Sequence, residues 1–138
     1  MAGGDTGTGW VLEQMVAPAL RRGGYVVSPQ AVVGLRPGGG KHKVDAVASK
    51  DGRRVLVSLK WQQVAGTAEQ KVPFEVICLA QAVAEGGYNL AYLVLGGEGW
   101  KLRGFYTSGG LDRHLVRADQ VRIVTLEGFI AAANQGRL

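Results

Sequence analysis

The dipeptide Asp51-Gly52 joins two runs rich in β-branched and apolar residues, Lys43-Val44-Asp45-Ala46-Val47-Ala48-Ser49 and Val55-Leu56-Val57-Ser58-Leu59-Lys60-Trp61-Gln62. Asp-Gly readily takes the positive φ angles of a type I′ turn, so the runs are predicted to be the arms of a β-hairpin. A two-residue loop fixes the register, with Lys50 opposite Arg53, Asp45 opposite Ser58 and Lys43 opposite Lys60. Side chains alternate along a strand. Ser58, Lys60 and Gln62 are therefore expected on one face with Asp45, and Val55, Val57, Leu59 and Trp61 on the other. Opposed Cβ atoms lie about 4.5–5.5 Å apart, close enough for Asp45 and a ligand near Ser58 to share one ion.

An aspartate on one strand and an acid-x-lysine triplet on the next is the signature of the PD-(D/E)xK nucleases, which include restriction endonucleases and archaeal-type Holliday junction resolvases. Val44-Asp45 with Ser58-Leu59-Lys60 resembles it, with serine where the triplet has its acid. The resemblance runs from Gly7 to about Gly97. It implies an α/β, restriction-endonuclease-like αβββαβ core with a central mixed sheet flanked by helices. It also implies a DNA endonuclease that uses Mg²⁺ or Mn²⁺, with Asp45 as metal ligand and Lys60 as catalytic lysine. Ser58 cannot bind a metal as a carboxylate does. Some restriction enzymes with Ser-x-Lys take the missing carboxylate from further along the chain, and here Glu69 is the first candidate and Glu75 the second. Gly9-Trp10-Val11-Leu12-Glu13 is similar to the start of the first helix in the resolvases, which would bring Glu13 to the metal site. Glu13 equally reads as a solvated glutamate in the positive end of a helix dipole.

At 138 residues the chain is expected to be a single nuclease domain, 1–138, with one core. Its net charge of +5 suits a polyanion partner, because Lys and Arg release counterions from phosphates. Lys41, His42 and Lys43 enter the site strand, Arg53 and Arg54 flank its turn, and Arg36 and Lys71 lie nearby, so these are the candidate DNA contacts. No apolar run approaches the ~18 residues that suggest a membrane span, and no charged segment precedes an apolar one at the N-terminus, so a soluble cytoplasmic protein is expected. Cys78 reads as core, and no His/Cys cluster suits zinc. The run Arg36-Pro37-Gly38-Gly39-Gly40-Lys41-His42 is expected to be a flexible loop, either DNA-contacting or a plain connector. Without a Gly-Lys-Ser/Thr helix start it is no P-loop.

In chain order, residues 2–9 hold four glycines, and a mobile arm is expected over residues 1–8. The spacing of Val11, Leu12, Met15, Val16, Ala19 and Leu20 predicts a helix from about Thr8 to Arg22, with Pro18 as the objection. Tyr25 to Val33 reads as a strand interrupted near Pro29. Thr67-Ala68-Glu69-Gln70 fits a capping box, so a helix to Glu85 starts either near Thr67 or at Pro73. Leu90 to Leu95 reads as an interior strand reached by a parallel crossover. A short helix within Trp100 to Tyr106, another over Leu111 to Val116, a strand over Val121 to Val124 and a helix from Leu126 to Ala133 complete the expectation.

Phosphodiester hydrolysis needs a nucleophile at neutral pH and relief of developing negative charge, which a hard divalent ion on carboxylates provides. Lys60 would stabilise charge and Gln62 would orient a water or phosphate. Ser58 as a nucleophile lacks a His-Asp pair. The leading expectation is a Holliday junction resolvase acting as a homodimer. The alternatives are a restriction-type or repair endonuclease and an inactive DNA-binding module. Trp100, Phe105, Tyr106 and Phe129 are either dimer interface or core.

Overall fold

A computed structural model describes residues 8–138. The arm expected at residues 1–8 lies outside them except for Thr8, which is already helical. Helix α1 spans residues 8–22, followed by strands β1 (Val26–Leu35), β2 (Lys41–Lys50) and β3 (Arg53–Trp61). Then come helix α2 (Ala68–Gly86), β4 (Leu90–Gly96), the short helix α3 (Arg103–Thr107), β5 (Val121–Thr125) and α4 (Leu126–Asn134). The sheet has the order β1-β2-β3-β4-β5. Its first two pairings are antiparallel and its last two parallel. This is the expected mixed sheet with helices on both faces.

Two apolar layers hold it. Val11, Leu12, Val16 and Leu20 of α1 and Phe129 of α4 pack with Val55, Val57 and Leu59 on one face. Val72, Val76 and Leu79 of α2 and Tyr106 of α3 pack with Leu56, Leu93 and Leu95 on the other. Every residue of β4 is buried, as a strand covered on both faces requires. Truncating one such side chain, Leu93→Ala, would cost about 2–5 kcal/mol.

Both proline objections resolve locally. In α1 the turn Leu12–Val16 is a π turn, and the Ala17 amide donates to Leu12 O one residue further back than in an α-helix. The wider turn accommodates the Pro18 ring, which would otherwise press on the carbonyl four residues back. In α2 the helix starts at Ala68, so Pro73 is interior and cannot donate to Glu69 O. Tyr106 Oη donates to that carbonyl instead, at 2.7 Å. Thr67 makes no side-chain cap. The cap comes from the end of β3, where Gln62 Oε1 accepts from the Ala68 amide at 3.0 Å.

Pro29 is tolerated because β1 is an edge strand. Leu111 to Val116 is not a helix: it holds one turn, Leu115 N to Leu111 O, and Arg117 at φ 63° turns the chain away. The Gly-rich segment closes tightly, with Arg36 N donating to Gly40 O at 2.6 Å. Trp100, Tyr106 and Phe129 are buried, so they belong to the core, and of the interface candidates Phe105 alone is exposed. No helix among the described residues is long and apolar enough to cross a membrane.

Candidate active site

Asp51 and Gly52 take φ of 52° and 78°, and the hairpin pairs as expected from Lys50↔Arg53 to Ala46↔Val57. There the backbone ladder stops. The next expected pair, Asp45 opposite Ser58, is replaced by a side-chain bond in which Asp45 Oδ2 accepts from the Leu59 amide at 2.7 Å. Strand amides point along the sheet, so the carboxylate occupies the gap between β2 and β3 instead of standing on the Ser58 face. A change of pleat accompanies it. Val44 and Val47 both pack on the α2 side, while Ala46 and Ala48 pack on the α1 side, so alternation breaks at Asp45. Opposite this break Gln30 of β1 has φ 53°.

Ser58 lies on the α2 side, and its Oγ donates to Glu75 Oε2 at 2.9 Å. The fully buried His42 reaches the same oxygen through Nε2 at 3.5 Å, a long contact. With Nε2 turned to Glu75, His42 Nδ1 is buried without a partner among the described residues. Burial alone would raise the Glu75 carboxyl. The His42 hydrogen bond, the Lys60 charge and the Ser58 hydroxyl together outweigh it and hold the pKa below the usual carboxylate value. Burial, with the Glu75 charge adding to it, pushes the Cys78 thiol up, consistent with an inert core cysteine.

Asp45 and Glu75 are thus fastened to consecutive residues of β3, Leu59 and Ser58, with Lys60 next in line. The other candidates are engaged elsewhere. Glu69 is buried and accepts from the amide of Leu102, the residue that opens α3. Glu13 is exposed within the π turn of α1. Gln62 has both ends of its amide in use, donating to Gly99 O at 2.8 Å and capping α2. Among the expected DNA contacts, Lys41, Lys43 and Lys71 are exposed, whereas His42 faces Glu75. Arg36 lies against Cys78. Arg53 donates to Leu138 O, and Arg54 donates to Gly86 O and stacks on Tyr88, so both serve the fold at the turn end. The role of His42 was not legible in sequence. Glu75 is only the second candidate in sequence, and the structure sets it among Val72, Val76 and Leu79 of α2, where a buried glutamate needs a partner.

A model of the PD-(D/E)XK nuclease superfamily domain matches residues 5–137. The chain belongs to the PD-(D/E)XK nuclease superfamily. The sheet and its flanking helices agree with that family's fold. Two solved structures share the fold. One is an fdxN element excision controlling factor protein from Anabaena variabilis, at 19% identity and TM-score 0.54 over 86% of this chain and 93% of that one. The other is a protein of unknown function, AF1548, at 12% identity and TM-score 0.50 over 80% of this chain. This chain spans about half of the latter, 54%. No curated protein matches the sequence.

Proposed function

We propose that this nuclease domain is a divalent-metal-dependent DNA endonuclease selective for DNA structure, acting on four-way junctions, with Asp45 and Glu75 as the metal-binding carboxylates. The observation that carries the site is the anchoring of both carboxylates at Ser58 and Leu59, immediately before Lys60. Mg²⁺ prefers oxygen donors, keeps several waters and takes one or two carboxylates, and this pair offers that donor set. Among the described residues no cluster of three His, Cys, Asp or Glu is arranged to hold an ion, so water and phosphate oxygens would complete the shell. The bound ion would acidify the attacking water and polarise the phosphoryl oxygen. Ser58 and His42 orient Glu75, and Lys60 stabilises negative charge developing on the phosphate. In this reading Glu69 and Gln62 support the fold by holding Leu102 and capping α2, and Glu13 takes no part in the metal site.

Exposed Lys41 and Lys43 flank the site on β2 and contact phosphates without reading bases, which favours recognition of shape over sequence. A junction is cut at two symmetric places, so this reading includes a C₂ homodimer. We assign its interface to Val32 and Leu35 on edge strand β1 with Phe74 and Ile77 on α2, exposed apolar side chains on elements joined by the Gln81 Nε2 bond to Leu35 O. The Ser58 and Glu75 arrangement favours a second reading, a restriction-type or repair enzyme, because such enzymes recruit a distant glutamate. One gel decides among these: a labelled four-way junction and matched linear duplex, each with and without Mg²⁺. Metal-dependent cleavage of the junction alone supports the proposal, cleavage of the duplex moves it to the second reading, and no cleavage of either leaves a DNA-binding module.

A further inference from the structure

Trp61 is the last residue of β3 and follows Lys60 directly, with its ring on the α1 side of the sheet. It remains 39% exposed, although an indole at a strand end normally gains by burial. The fold holds it in place. A Cβ added to Gly96, the residue paired with Trp61 on β4, would lie 2.6 Å from its Cε3 and 2.9 Å from its Cζ3. Gly96 does not have a positive φ, so the backbone does not require glycine there and the indole does.

The exposed side of the ring opens into a groove of about 710 Å³ lined also by Glu98, Arg103 and Glu127. Two carboxylates against one guanidinium make this groove unfavourable for a phosphate, in a protein whose net charge is +5. The same lining suits an uncharged base, whose amino and imino groups donate to carboxylates while its face stacks on indole. Lys60, on the opposite side of the same strand end, offers a cation for the adjoining phosphate.

We infer that Trp61 is the stacking platform for an unpaired base next to the scissile phosphate, and that the substrate must present such a base at a bulge, branch point or single-stranded segment. A base inside a duplex has both faces covered by neighbours and cannot reach the indole without leaving the stack. The inference rests on the nuclease reading and adds a substrate feature to it.

The test is equilibrium binding without divalent ions, so that no cleavage intervenes, using a duplex, the same duplex with a three-nucleotide bulge carrying 2-aminopurine, and the single strand. Wild type is expected to prefer the bulged and single-stranded forms and to quench the 2-aminopurine. Trp61→Ala should bind those two forms about tenfold more weakly, keep its duplex affinity and lose the quenching, and Trp61→Phe should restore most of both. Quenching by wild type is read without any variant, so the test stands even where Trp61→Ala folds poorly. Unquenched 2-aminopurine, equal binding of bulged and plain duplex, or a Trp61→Ala loss equal on all three DNAs overturns the inference while leaving the nuclease reading intact. Failure of wild type to bind any of the three overturns both.

Discussion

At one end of the β2–β3 hairpin Asp51 and Gly52 turn the chain and the strands pair residue for residue, while at the other end the ladder stops at Ala46↔Val57 and side chains take over. The turn end is local. Its geometry follows from one dipeptide, and its cations, Arg53 and Arg54, are absorbed by backbone carbonyls and a tyrosine ring. The open end is assembled from β2, β3 and α2, and its polar groups meet across 14 and 17 residues of sequence. Because the strands part there, an aspartate can take the place of a backbone acceptor and a buried glutamate can reach Ser58. Regular pairing would have filled that gap with backbone.

The contrast is broken most directly by Asp45→Asn. The amide oxygen can still accept from the Leu59 amide, so the melting temperature should hold while metal-dependent cleavage falls at least a hundredfold, as initial rates on labelled DNA will show. Undiminished cleavage would end the assignment.

A paired measurement on α2 comes next. Glu75→Gln should reproduce the cleavage loss of Asp45→Asn, whereas Glu69→Gln should keep cleavage and lower stability by about 1 kcal/mol through its weakened bond to Leu102, read by denaturant unfolding. Equal losses of cleavage would mean that the helix has been assigned the wrong carboxylate.

At the turn end, Gly52→Ala puts a Cβ at φ 78° and should cost about 1–2 kcal/mol, a fall of roughly 5 °C in melting temperature, with cleavage by the folded protein unchanged. The smallest effect separates the cations. Lys43→Ala should reduce the salt dependence of DNA binding by about one counterion, and Arg54→Ala should leave it unchanged. A titration of affinity against salt gives both slopes.

What could be read from sequence follows the same division. The turn, the register to Ala46, the facing of Ser58 and the interior strand β4 all depend on neighbours or on short periodicity. The departure of Asp45 from its expected partner does not, because it depends on a pleat change shared with Gln30 on another strand. Glu69 stands closer to Lys60 in sequence, which makes it the first candidate there. Six residues on, Glu75 lies on another side of the same helix, and helical phase decides which carboxylate meets β3 and which meets α3. Gln62 had the chemistry to orient a water, but the Ala68 amide and the Gly99 carbonyl claim it first, and neither demand is visible from its own surroundings.

The π turn of α1 is in effect one surplus residue inserted in a helix. Its two halves run out of phase by about 100°, so no single helical wheel describes them. The second half packs Val16, Ala19 and Leu20 into the core, while the first half joins that core through Val11 and lays Thr8 and Val11 beside Leu59, Lys60 and Trp61. Deleting one residue from Leu12–Val16 would restore an ordinary α-helix and rotate Thr8 and Val11 away from the end of β3. The extra residue thus works as a phase shifter, allowing one helix to be aligned separately with the core and with the end of β3.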